Sequence, residues 1–99
     1  YAAELTPVSG DYGADLILTK AGRRIAVQAK RNAGSVGVQA VQEALSGQAY
    51  YKCDTAWVVT TGNFTANAVG LAKKSGVTLM DRTAIASLIA QIKTETGSG

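Results

Sequence analysis

Histidine is absent from the 99 residues, and cysteine, proline, methionine and tryptophan each occur once. Without imidazole there is no Ser-His-Asp triad and no Cys-His dyad, and most zinc sites lose a ligand. Cys53, with no histidine base anywhere in the chain, reads as a small hydrophobe rather than a nucleophile. A lone cysteine cannot form an internal disulfide, which fits a reducing compartment and makes a cytoplasmic location the expectation. No stretch approaches the roughly 18 apolar residues of a membrane span, and no basic-then-apolar leader pattern is found. Charge is scarce too, at 17% of residues with a net +3. That balance leans mildly towards polyanions and is equally ordinary for solubility. Catalysis here would fall to carboxylates, amides, lysine, hydroxyls and a hard metal.

What is present suits one small globular domain, with 46% apolar residues. Residues 1–96 are expected to form it and 97–99 a flexible tail. Ala2–Leu5 reads as a strand that ends at Thr6-Pro7. Asp15–Lys20 and Arg24–Lys30 read as a hairpin about Ala21-Gly22. Arg31–Gly37 is a polar connector. Gly37–Tyr51 reads as a helix, with Val38, Val41, Leu45 and Ala49 on one face, Gln48 within that face and Gln42 at its edge. Ala56–Thr61 suits a buried strand containing a core Trp57. Thr65 caps a helix over Ala66–Ser75, closed by Gly76. Val77–Met80 is a further strand. Asp81 caps a last helix with an apolar stripe of Ile85, Leu88, Ile89 and Ile92. A meander followed by βαβ units predicts an α/β fold, a mixed β-sheet flanked by helices.

The chemistry concentrates in Ser9–Arg31. A two-residue loop sets Lys20 opposite Arg23 and Asp15 opposite Gln28. Opposed residues share a face, as do residues two apart on one strand. Asp15, Gln28 and Lys30 therefore fall on one side, and Leu16, Leu18, Ile25 and Val27 on the other, where they can form a core. A carboxylate and an amide carbonyl are hard oxygen ligands suited to Mg²⁺. A lysine beside that metal can orient a water and offset charge on a phosphate. The plainer reading stays open: Asp15 begins a strand after a Gly-rich turn, and Lys30 extends into water. Ser9, Gly10 and Asp11 in the preceding loop, and Arg31 and Ser35 in the connector, are candidate phosphate contacts; an ordinary turn or a solvated loop explains them equally. Gln42 could reach the same face or keep its amide in water.

The strings GDYGADLI, IAVQAKR, VGVQAVQEALSG and WVVTTGNFTANAVGLAKKSGVTLMD together resemble the catalytic domain of Mrr-like (type IV) restriction endonucleases. These belong to the PD-(D/E)XK nuclease superfamily, in the branch where glutamine replaces the first acid of the second half-motif. The resemblance spans roughly residues 4 to 90 of the sequence. It implies a restriction-endonuclease-like fold and a Mg²⁺-dependent DNA endonuclease, with modified DNA as a suggested target. By position it makes Asp15 the metal-binding aspartate, Gln28 the second ligand and Lys30 the catalytic lysine, with the Ala29 carbonyl a further possible ligand.

The family usually carries another acid on a helix before the first strand. This sequence is expected to lack that helix, leaving part of one sheet face for a homodimer partner or a neighbouring DNA-recognition domain. The alternatives are a catalytically inactive nuclease-fold module that only binds DNA, and an α/β structural module with no nucleic-acid role.

Overall fold

The computed structural model describes residues 2–5, 14, 16–30 and 34–96. Strand β1 (Ala2–Leu5) pairs antiparallel with β2 (Leu16–Lys20), which pairs antiparallel with β3 (Arg23–Lys30). The hairpin has the expected register, Lys20 opposite Arg23 and Leu16 opposite Val27. Its two loop residues, Ala21 and Gly22, have φ of 54° and 81°. Two positive φ values make a type I′ turn, whose twist matches the flanking strands.

From β3 onward the sheet is parallel. Strand β5 (Thr55–Thr60) lies beside β3, and β7 (Thr78–Met80) beside β5, giving the order β1-β2-β3-β5-β7. The connections are helices α1 (Val38–Tyr50) and α2 (Ala66–Ser75); α3 (Arg82–Thr96) follows β7. This is the mixed sheet flanked by helices that the element order predicts. A second, two-stranded parallel sheet joins β4 (Ser35–Val36) to β6 (Asn63–Phe64). It was not anticipated, because two-residue strands carry no periodicity and lie within polar connectors.

Both faces of the main sheet carry core. Ile25, Val27 and Trp57 pack on one face with Leu16, Leu18, Val59 and Met80. On the other, Ala56 and Val58 meet Ala40, Val41 and Ala44 of α1 and Ala68 and Ala72 of α2. Nearer the hairpin end of that second face, Ile17 and Ala26 pack with Ala14, Tyr51 and Cys53.

The buried stripe of α1 differs from the one expected. It consists of Ala40, Val41, Ala44 and Gly47, while Ala49 is exposed. Small residues let the helix axis approach the sheet, so the phase is set by what fits rather than by the largest hydrophobes. The stripe expected on α3 also differs. Ile85 is half-buried, but Ile89 is 48% exposed; the side chains of Leu88 and Ile92 lie outside the described set.

Caps close the elements where expected. Thr65 Oγ1 accepts from Ala68 N at 3.1 Å, and Asp81 Oδ1 accepts from Ala84 N at 2.9 Å. Gly76 ends α2 in the left-handed conformation. At the start of β3, Arg24 N donates to Asp54 Oδ2 at 2.8 Å, and an Arg24 guanidinium nitrogen donates to the Tyr51 carbonyl at 2.9 Å. That clasp fastens the loop after α1 to β3 where the parallel pairing with β5 begins, Ile25 opposite Thr55.

Candidate active site

Strands β3, β5 and β7 are mutually parallel, so their carboxyl ends share one edge of the sheet. The pleat of β3 puts Ala26, Gln28 and Lys30 on the α1 side. Ala26 is core; Gln28 and Lys30 are polar, in the last three residues of the strand. Gln28 is only 7% exposed, and among the described residues its Oε1 has no hydrogen-bond partner. An unpaired buried carbonyl is costly and calls for a reason.

Lys30 has a partner. Its Nζ lies 2.9 Å from Oε1 of Glu43, on the second turn of α1. Lysine and glutamate are on the wall of an open cleft of about 220 Å³, shared with Ser35, Gly37 and Gln39. Gln39 and Glu43 are one helical turn apart and so present a common face. Beside Lys30 in the sheet is Thr60, fully buried, whose Oγ1 accepts from Gly62 N at 3.0 Å. That bond shapes the turn leading into a second polar cleft of about 290 Å³, lined by Thr61, Asn63, Arg82 and Thr83 among others. Ser35 and Asn63 are partners across β4 and β6, and each lines one of the two clefts.

Of the residues singled out from the sequence, Gln28, Lys30 and Ser35 come to this edge. Gln42 is exposed and does not line the cleft. One step along a helix rotates a side chain by about 100°, and Glu43, not Gln42, turns to the strand. Gln48 is held elsewhere, its Nε2 donating to the Asp54 carbonyl at 3.2 Å. Asp15, Ser9, Gly10, Asp11 and Arg31 lie outside the described residues.

Cys53 is remote from the edge, half-buried against the Ile17 cluster. Burial raises its thiol pKa; the Arg24 charge works against that rise and Asp54 adds to it. A raised thiol is a poor nucleophile, in keeping with a packing role.

Gln28 Oε1 fits a hard cation: it is a carbonyl oxygen, buried and without a partner among the described residues. Among the described residues no three His, Cys, Asp or Glu side chains cluster as a metal site. Among the described residues, also, no helix is long and apolar enough to cross a membrane.

A comparison with curated proteins returns no match. Among solved structures, the chain is similar to a protein of unknown function, AF1548, at 16% identity and a TM-score of 0.62. It is also similar to a repair endonuclease from Pyrococcus abyssi, at 20% identity and a TM-score of 0.52. Each likeness covers 69% of this chain, but only 40% and 31% of those chains, so the chain spans well under half of either. At these identities the likeness is one of fold. The family comparison reaches further: a restriction endonuclease family model, Mrr_cat, matches residues 1–89. With that match over most of its length, the chain belongs to the Mrr_cat family of restriction endonucleases.

Proposed function

We propose that this chain is a Mg²⁺-dependent DNA endonuclease domain that hydrolyses phosphodiester bonds at the carboxyl edge of its parallel strands. The observation that carries the reading is Oε1 of Gln28, which has no partner among the described residues and is buried on the face it shares with Lys30. Gln28 and Asp15 would hold the metal. When bound, Mg²⁺ supplies Lewis acidity to the scissile phosphate and lowers the pKa of the attacking water.

The protein's own part is positional and electrostatic. The Lys30 ammonium donates to the attacking water and offsets charge gathering on the phosphate oxygens. A water oxygen would bond to phosphorus as one phosphorus–sugar oxygen bond breaks; the water gives up a proton to solvent and the departing sugar oxygen takes one up, ending as a hydroxyl beside a phosphate monoester. Gln28 brings no charge, so the site should hold metal less tightly than one with two carboxylates. Ser9, Gly10, Asp11, Arg31 and Ser35 are proposed to contact the DNA backbone. The Ser35–Asn63 strip and Arg82 extend a polar rim along the same edge. The start of α1, which has no side-chain cap among the described residues, turns the first backbone N–H groups of the helix towards it.

Family membership supports DNA as substrate, and modified DNA is the suggested target. We further propose that the chain works as a homodimer or beside a DNA-recognition domain, since two strands must be cut, and that it acts in the cytoplasm. Light scattering at micromolar concentration tests the dimer; a monomer counts against it.

Plasmid nicking with and without Mg²⁺, comparing this chain with Lys30→Ala, tests the activity. Metal-dependent nicking that vanishes in the variant supports the reading. Salt-sensitive, metal-independent DNA binding by a folded parent that never nicks points instead to a binding module on a nuclease fold.

A further inference from the structure

Glu43 has no part in the reaction as described so far. Its Oε1 meets Lys30 Nζ at 2.9 Å, joining the second turn of α1 to the end of β3. We propose, on the basis of the nuclease reading, that Glu43 is a positioning residue: its carboxylate holds the Lys30 ammonium over the cleft, so that the lysine meets the attacking water from one direction.

A lysine at a strand end has wide rotamer freedom. Left alone, its charge would sweep a large volume. Gln28 Oε1 does not restrain it, because among the described residues no group, Lys30 included, bonds to that oxygen. Glu43 is well placed to do so. It sits on a helix whose neighbouring positions Ala40, Val41 and Ala44 are seated in the core, so its own origin is fixed. It is also the one acidic side chain on the cleft wall among the described residues.

The ion pair is a weak source of stability, since its partners are 32% and 37% exposed. Its effect is therefore on where the charge sits, not on whether the chain folds. An ammonium has three N–H donors. One can remain on Glu43 while the others reach the water and a phosphate oxygen, so the contact survives substrate binding.

The test measures plasmid cleavage, Mg²⁺ affinity by titration calorimetry and thermal unfolding for the parent, Glu43→Ala and Glu43→Gln. In Glu43→Ala, kcat is expected to fall about 10- to 100-fold, the scale of a misplaced reacting group, with KM for plasmid unchanged within about two-fold. Glu43→Gln keeps an acceptor oxygen at the same reach and is expected to regain part of the loss. Both variants should bind Mg²⁺ like the parent and unfold within a few degrees of it. Full activity in Glu43→Ala, a change confined to KM, or a Glu43→Gln variant no better than Glu43→Ala would overturn the role. Loss of Mg²⁺ affinity would overturn it in favour of metal ligation. If Glu43→Ala fails to fold, Glu43→Asp replaces it: the shorter arm should lower kcat with KM held, and full kcat sinks the idea. A parent that does not nick removes the nuclease reading together with this one, whereas an active parent matched by Glu43→Ala removes only the positioning role.

Discussion

Gln28 and Lys30 leave β3 on the same face, two residues apart, yet one is buried with its carbonyl oxygen unpaired among the described residues and the other reaches an exposed carboxylate. The first difference sets up a contrast between function and stability. Gln28→Glu preserves an oxygen ligand and should retain some cleavage, whereas Lys30→Ala should abolish it. Equal activity in the two variants would contradict the roles given to them, and plasmid nicking decides.

Gln28→Met removes the unpaired carbonyl and keeps the side chain's length. Activity should be lost, while stability should hold or rise by about 1 kcal/mol, because the orphaned group no longer has to be desolvated. Urea denaturation checks this. A clear fall in the midpoint would show that Oε1 is satisfied in solution.

At the hairpin, Ala21 sits at a φ of 54°, where a Cβ is strained and asparagine is tolerated. Ala21→Asn should stabilise the domain by up to about 1 kcal/mol, a rise in Tm of about 4–8 °C for a domain of this size. Calorimetry on the two proteins is sufficient.

Thr65 caps α2 through its bond to Ala68 N. Thr65→Ala should cost about 1 kcal/mol. Ile17→Ala, which empties a site only 2% exposed, should cost about 2–5 kcal/mol. Denaturant midpoints should therefore rank parent, Thr65→Ala, Ile17→Ala.

The Cys53 thiol is raised above its ordinary 9.0, mainly by burial. The folded chain then keeps its proton at a pH where the unfolded chain has begun to lose it. Whatever this contributes to stability is present in full below pH 9 and fades as pH climbs through the folded value. At neutral pH alkylation by iodoacetamide should be slower than in the urea-unfolded protein. Equal rates would mean the thiol is not shielded.

The hairpin was legible because alternation and a two-residue loop fix register together. One slip would have exchanged Leu16 and Ile17 between faces, and the observed pairing has no slip. Both caps were legible from residue type alone. The inner face of α1 was not, since Ala40, Ala44 and Gly47 have too little apolar surface to stand out in a pattern. Glu43 was missed for a related reason. A single charge among helical glutamines looks like a solvated face, and only the closeness of α1 to the end of β3 gives it a partner. The Ser35–Asn63 pairing joins two loops far apart in the chain, which no local pattern encodes. At the site, the same-face placement of Gln28 and Lys30 was legible; which helical side chain meets them was not.

The parallel arrangement of β3, β5 and β7 also limits how much of a substrate this edge can touch. Neighbouring strands lie about 4.8 Å apart, so the three span about 10 Å. Phosphates along one DNA strand repeat every 3.4 Å or so of helix axis. On the proposed nuclease reading, the edge would therefore span about three nucleotides of one strand. A contact of that length would suit gripping a backbone but would be too short to choose one address among many, so selectivity for a longer site would need surfaces beyond this rim.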